Sequence, residues 1–481
     1  SQAYAQSNDE KSVPQIIASN IKNPSARSSA NQLQTSNTIK TGVQVGSQFH
    51  DTSAGGSVDL TGKTQVDNLT LSHQGIDIEK YNNQNQKPTR LFTTTEMKFN
   101  NLKIANLTSN GDAGFGFVDS PDKDWLNIIT KFVEYGNVAH FHLFKLKGDS
   151  LTIDKIENKQ HLEIEADTLN INKGITTDYG SLKIKFKEGI IDGKIGFYGV
   201  SNPSFEIANS DGRKSFATDD LYIETTNGTI AADINNKGAS RAKIFLNGGG
   251  KITGNITLED DTQDMAIKIE KDSGFLLGAS TSWYDSFFHI ISDNGKIEGD
   301  ITIKGGDKEV VDAYGKHYNR NSLGFYLIGD KAEMSGDIDA QSQLASLSFL
   351  SLAGNAKMTG DIKVGEKDHF SIYNDRYFPD GIEMETGNNL VSGKITNRGY
   401  LDVNGQTEQG LTIQQTIDNI GGTLVIRNVD WNGDKNINGI KFLRGGKDDN
   451  VGTDAHFKNT NGGKIAIDGW DFREKEGNGR I

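Results

Sequence analysis

Strictly alternating apolar and polar residues recur along this chain in short runs, and two phrases account for most of them. The first is a small or polar residue, Leu, any residue, then Leu or Ile. It occurs as Asn68-Leu69-Thr70-Leu71, Asn101-Leu102-Lys103-Ile104, Ser150-Leu151-Thr152-Ile153, Thr168-Leu169-Asn170-Ile171, Ser181-Leu182-Lys183-Ile184 and Asp220-Leu221-Tyr222-Ile223. The second is an apolar residue, any residue, Gly, a polar residue, then Ile. It occurs as Ile191-Asp192-Gly193-Lys194-Ile195, Ile252-Thr253-Gly254-Asn255-Ile256 and Ile297-Glu298-Gly299-Asp300-Ile301. It returns as Met334-Ser335-Gly336-Asp337-Ile338, Met358-Thr359-Gly360-Asp361-Ile362 and Val391-Ser392-Gly393-Lys394-Ile395, and Ile230-Ala231-Ala232-Asp233-Ile234 carries Ala in the Gly slot. Alternation of this kind predicts half-buried strands.

The central residues of the second phrase are 193, 232, 254, 299, 336, 360 and 393, so the gaps are 39, 22, 45, 37, 24 and 33. Most lie near one or two multiples of about 22 residues, the period of a stacked β-solenoid. The expectation is an all-β, elongated parallel β-helix with protruding loops over residues 56–470. It should have roughly 16–20 coils and, at about 4.8 Å between strands, a length of about 80–100 Å. Ile252, Ile256, Ile297, Ile301, Met334, Ile338, Met358 and Ile362 are the expected inward stack. Gly in the phrase lets the backbone bend or adjoining coils approach closely. Asn247-Gly248, Asn294-Gly295, Gly305-Gly306 and Gly421-Gly422 read as turns. Residues 1–55, rich in Ser, Asn, Gln and Thr, are expected to be a loose polar segment or cap, and 471–481 a C-terminal tail. Residues 125–135 place Leu126, Ile129, Phe132 and Val133 at helical spacing, yet their β-branched and aromatic content suits a strand equally.

Composition sharpens this picture. An apolar fraction of 34% with 55 Gly suits a thin, long core better than a compact enzyme. A net charge of −13 argues against a nucleic-acid partner and keeps a long molecule soluble. The absence of Cys excludes disulfides, thiolate zinc sites and Cys nucleophiles, and it suits unfolded passage through a narrow pore. No apolar run reaches the roughly 18 residues of a spanning helix, so no membrane-spanning segment is expected in this chain. Ala3-Tyr4-Ala5 has no charged or apolar leader before it, so any export signal is expected to have been removed.

The longer gaps are where loops should leave the solenoid. The 45-residue gap holds Trp283, Tyr284, Phe287 and Phe288, and the 37-residue gap holds Tyr314, Lys316, His317, Tyr318 and Arg320. The 33-residue gap holds His369, Phe370, Tyr373, Asp375, Arg376, Tyr377 and Phe378. Aromatic-rich excursions from a rigid scaffold are where recognition usually sits. The candidate binding residues are therefore Trp283, Tyr284, Tyr314, Tyr318, Tyr373, Arg376 and Tyr377, although packing against the solenoid flank explains the same aromatics.

Candidate chemistry is thin. Gly148-Asp149-Ser150-Leu151 spells the motif of an esterase and lipase family, but Ser150 opens an alternating strand and no Asp-x-x-His follows. His140-Phe141-His142 places two imidazoles on one strand face, read as solvated, with no third metal ligand. Asp434-Lys435-Asn436-Ile437-Asn438-Gly439 resembles the opening of a calcium loop, but Gly445 stands where the closing acid belongs, and a turn explains it. Asp219-Asp220, Asp260-Asp261 and Asp448-Asp449 are carboxylate pairs, but the Asn-Thr-Asp, Gly-His-Gly and Arg-Ile-Lys signatures of pectinolytic β-helices are absent, with Arg241-Ala242-Lys243 nearest to the last. No catalytic residue, metal or cofactor is expected.

The repeat style, as in Asn247-Gly248-Gly249-Gly250-Lys251-Ile252-Thr253-Gly254-Asn255-Ile256, resembles the passenger domain of a Gram-negative autotransporter over about residues 60–470. The resemblance implies a right-handed parallel β-helix exported through its own C-terminal barrel, which this chain would lack. The protease branch carries Gly-Asp-Ser-Gly-Ser, and Gly148-Asp149-Ser150 continues here as Leu151-Thr152. What the resemblance implies is thus a non-enzymatic adhesin on the bacterial surface or secreted. It would act in self-association, biofilm formation or host attachment, with another copy of itself or a host protein or glycan as partner. A glycan-binding or glycan-cleaving β-helix of tailspike type, or a secreted virulence or immune-evasion factor, is the alternative.

Overall fold

The computed structural model describes residues 39–74, 91–112, 140–178, 180–198, 205–209, 212–216, 221–237, 241–259, 286–304, 310–311, 317–318, 321–342, 346–374, 387–405, 410–429, 439–442, 456–468, 470–471 and 477–479. No helix occurs among them, and 37 strands join in one continuous hydrogen-bonded system. The chain winds as a parallel β-helix with three faces. In one coil Arg241–Asn247 lies on the first face, Lys251–Ile252 on the second and Ile256–Leu258 on the third. The next coil lays Ser286–Asp293, Lys296–Ile297 and Ile301–Ile303 on them, all parallel. Nearer the N-terminus, Leu91–Asp112 and His140–Asn158 run through all three faces as unbroken strands.

The inward columns match the alternation. On the third face Ile156, Ile175, Ile195, Ile234, Ile256, Ile301, Ile338, Ile362, Ile395 and Ile417 stack in register beneath Phe457. On the second face Ile191, Ile230, Ile252, Ile297, Met334, Met358 and Val391 do the same. All are buried, and they include every member of the expected inward set.

The glycine phrase is the corner between the second and third faces. A Cβ on Gly254 would lie 1.9 Å from the Ala232 carbonyl oxygen, and one on Gly299 1.8 Å from that of Gly254. Gly336, Gly360 and Gly393 each repeat this at 1.9 Å from the preceding Gly of the series. Close approach of successive corners, rather than left-handed backbone, selects Gly at these five positions, whereas Gly193 at the start of the series has a φ of 85°. The polar residue that follows has its own role. The Asp233 carboxylate accepts the Asn255 N–H (2.9 Å), the Asn255 side-chain oxygen that of Asp300 (3.0 Å) and the Asp300 carboxylate that of Asp337 (2.9 Å). Asp337 accepts from Asp361 (2.7 Å) and Asp361 from Lys394 (2.9 Å). Each side chain satisfies a backbone donor that the turn leaves outside the strand ladders.

A buried asparagine ladder secures the corner after the third face. Asn397 donates to the Asn419 side-chain oxygen (2.8 Å), and Asn419 to that of Asn459 (2.8 Å). Their amides also reach turn carbonyls, Asn397 that of Thr423, Asn419 that of Gly422 and Asn459 that of Gly463. At both ends the parallel order stops. Gly42–Val45 pairs antiparallel with Gln48–Asp51 and Gln65–Gln74, while Gly477–Gly479 and Trp470–Asp471 run antiparallel to Phe457–Thr460 and Lys464–Ile467. Antiparallel closure covers edges that would otherwise template association.

The coil count is lower than the spacing suggested. Thirteen successive pairings on the first face, from Gly56–Asp59 to Lys464–Ile467, join fourteen strands among the described residues. At about 4.8 Å each they rise about 60 Å. The 45- and 37-residue gaps are single coils interrupted at 260–285 and 305–320, not double coils. Segments 75–90, 113–139 and 199–220 interrupt in the same place, between a third-face strand and the next first-face strand. From Asp368–Asn374 onwards the interruptions move to other corners. Residues 125–135 lie outside the described residues.

Candidate functional site

On the outer side of the first face, the outward column changes character along the rod, from charged residues to partly covered or buried apolar and aromatic ones. In the N-terminal coils it is charged: Lys145, Glu163 and Lys183 are register neighbours, as are Lys147, Glu165, Lys185 and Glu224. Lys147 reaches Glu165 at 3.6 Å and Lys185 reaches Glu224 at 3.4 Å. Such exposed cross-strand pairs contribute little each, about 0.2–1 kcal/mol. From Phe245 the same columns become apolar and aromatic, passing through Ile291, Tyr326, Ser351 and Tyr373 in one file and His289, Gly324 and Phe349 in the other.

Ile291, Tyr326 and Ile328 form a hydrophobic cluster separate from the interior core, with Phe245 and Phe349 packed against it. His289, Tyr326 and Phe349 meet edge to face, with ring centroids 5.9, 5.5 and 5.3 Å apart, and Tyr373 lies 6.3 Å from Phe349. Gly324 makes this contact possible. A Cβ there would fall 2.4 Å from the Phe349 ring and 2.9 Å from His289, so the missing side chain lets rings two strands apart close over the gap. Burial here pushes the His289 imidazole down to about 4, with the Lys243 ammonium adding to the effect, so the ring is neutral at physiological pH. Burial likewise lowers the neighbouring His369, against the opposing pull of Asp402, and its ring lies 4.3 Å from that of Tyr400.

Of the residues singled out in the sequence, Tyr373 joins this strip. It sits on a strand, Asp368–Asn374, and not on an excursion. Phe288 and Phe370, grouped above with loop aromatics, are interior core residues. Tyr318 pairs with Val310 in a separate two-stranded hairpin. Trp283, Tyr284, Tyr314, Arg376 and Tyr377 lie outside the described residues, as do the carboxylate pairs and the Asp434–Asn438 stretch. Ser150 stands in the ladder between Asn101 and Thr168, within the long strand. The reading of His142 as a solvated strand position is corrected: its ring is fully buried, bonded to the Thr93 and Thr95 hydroxyls and 5.4 Å from the equally buried His73. Inward alternation from Phe144 and Leu146 places it there, and threonine hydroxyls satisfy its nitrogens. Among the described residues no three His, Asp or Glu gather to hold a metal.

A second feature lies on the third face. A groove of about 690 Å³ opens over Gly196, between Thr176 on one strand and Asn235 and Thr257 on the next two. Asp178, Lys194, Asp233 and Asn255 edge it. Burial pushes the Asp178 carboxyl up to about 6, against the pull of Lys159 and with the repulsion of Glu157. Asp178 and Asp233 are four residues apart along the strand and two strands apart across it. Their Cα atoms are therefore about 16 Å apart. That exceeds the roughly 5–9.5 Å that glycoside hydrolysis requires of its carboxyl pair. Glu157 is closer but is engaged by Lys155 at 3.0 Å.

Comparison of the chain with known protein families, characterised proteins and solved structures finds no match. The fold and the two outer surfaces are therefore what bears on function.

Proposed function

We propose that this chain is a non-enzymatic adhesin of the autotransporter passenger type, carried on the bacterial surface or secreted. In this reading the first face supplies the contact surface for a second copy or a host surface molecule. One observation supports it above the others: the outward aromatic and apolar strip from Phe245 to Tyr373, in which Phe245, His289, Phe349 and Tyr373 are part-exposed beside the buried Ile291, Tyr326 and Ile328. Strips of this kind supply contact area at small entropic cost, and display of many copies multiplies weak contacts by avidity. The three-faced solenoid suits a display role, because its length presents the strip away from an anchoring point. The test displays the chain on cells and compares it with the double variant Phe349→Ser, Tyr373→Ser. Aggregation or host-cell attachment should fall at least several-fold while the circular dichroism spectrum stays the same. Unchanged adhesion by a folded double variant would remove the first face from the mechanism.

A further inference from the structure

The third-face groove has a floor built to stay empty. Gly196 occupies an outward position whose neighbours in the column are Thr176, Asn235 and Thr257, and a Cβ on it would meet nothing within 4 Å. Its backbone φ is not in the left-handed region, so conformation does not require Gly there. Beside this floor Asp178 is half-buried, yet accepts no hydrogen bond from the described residues. A half-buried carboxylate without such a donor keeps lone pairs open towards the groove, and a ligand that supplies hydroxyl donors satisfies them. Asp233 spends only one oxygen on the Asn255 N–H.

We propose that this groove binds a neutral carbohydrate, with Asp178 accepting from its hydroxyls and Gly196 leaving room for the sugar ring. The lining decides the class. Within the lining, the carboxylates of Asp178 and Asp233 outweigh Lys194, while outside it Glu157 is engaged by Lys155 and Lys159 faces Asp178. The field is therefore weak and favours a neutral ligand over phosphate, sulfate and acidic sugars. Amide and hydroxyl groups of Asn235, Asn255, Thr176 and Thr257 offer both donors and acceptors, which matches a polyol and not an apolar ligand. A peptide cannot extend the sheet here, because the floor is the face of strands already paired on both sides. The separation of Asp178 from Asp233 fits binding rather than cleavage. This site is independent of the first-face strip and of the adhesion reading.

The test uses the full chain on a printed array of neutral, amino, sialylated and sulfated oligosaccharides, followed by calorimetry with the best-retained neutral one. Gly196→Val fills the groove where no atom stands in the way, and Asn235→Ala removes a wall amide without touching the core. Wild type should retain neutral oligosaccharides, and Gly196→Val should abolish retention with its melting curve unchanged. Asp178→Asn and Asn235→Ala should each weaken binding about tenfold or more. The proposal fails if wild type retains none of the neutral probes, if only the acidic ones are retained, or if Gly196→Val binds as wild type does. Because all three groove variants leave Phe349 and Tyr373 in place, loss of sugar binding with intact cell adhesion separates this site from the first face.

Discussion

Replacing Gly336 by Ala should open the solenoid locally, and the size of the effect follows from the corner geometry. The new Cβ would lie 1.9 Å from the Gly299 oxygen and 2.6 Å from its carbonyl carbon. An ordinary carbon–oxygen contact is about 3.3 Å or more, so the corner must shift by about 1.4 Å. It cannot shift freely towards the following coil, because Gly360 is fitted as tightly against the Gly336 oxygen. The shift stretches the Ser335 N–H bond to Ile297 (2.9 Å) and the Asp337 N–H bond to Asp300 (2.9 Å). Overpacking costs about 1–3 kcal/mol and each lost hydrogen bond about 1 kcal/mol, so about 3–5 kcal/mol is expected. Each coil contacts only its neighbours, so the loss should concentrate in residues 321–374. Hydrogen exchange read by mass spectrometry should show amides there opening roughly a hundredfold faster or more. The control is Gly196→Ala, in open space within a strand, which should be neutral or stabilise by roughly 0.5–1 kcal/mol. Exchange in Gly336→Ala within a few-fold of wild type would show that close approach does not select these glycines.

Three further outcomes follow from named contacts. Asn419→Leu keeps the volume but strands the Gly422 carbonyl and the Asn459 side-chain oxygen, so it should cost about 2–4 kcal/mol, read as a lower denaturant midpoint. Ile301→Asp puts an unpaired charge into the isoleucine column, costs several kcal/mol, and should give new proteolytic cleavage near residues 286–304; an unchanged digest would contradict its inward placement. Asp178 has a folded-state pKa raised to about 6 from 3.8, so its charged form is disfavoured in the folded chain and wild type gains stability as pH falls from about 7 to about 4. Asp178→Asn should therefore be more stable than wild type at pH 8, by at most about 3 kcal/mol, with the difference gone near pH 4, as thermal melts at the two pH values would show.

Local pattern alone determined the solenoid and its interior. Period-two alternation fixes which side chains point inward, and one repeated phrase marks one corner, so Ile252, Ile301 and Met358 could be placed without coordinates. The length of the rod could not be read this way, because a 45-residue gap fits two coils or one coil with an excursion, and only the pairing of Arg241–Asn247 with Ser286–Asp293 decides. The outer surfaces are a matter of register. His289, Tyr326 and Phe349 are distant in sequence, and each becomes a neighbour only when the ladder sets it over Gly324. One signal was available: each stands ten or eleven residues before the phrase glycines Gly299, Gly336 and Gly360. The candidate aromatics of the longer gaps carry no such spacing, and Tyr373, one of them in sequence, is a strand residue. The groove was invisible for a different reason. Gly196 reads as an ordinary strand glycine, and its use depends on the open space within 4 Å of a Cβ placed there and on Asp178 from the coil before, which is a property of stacked coils and not of any single stretch of chain.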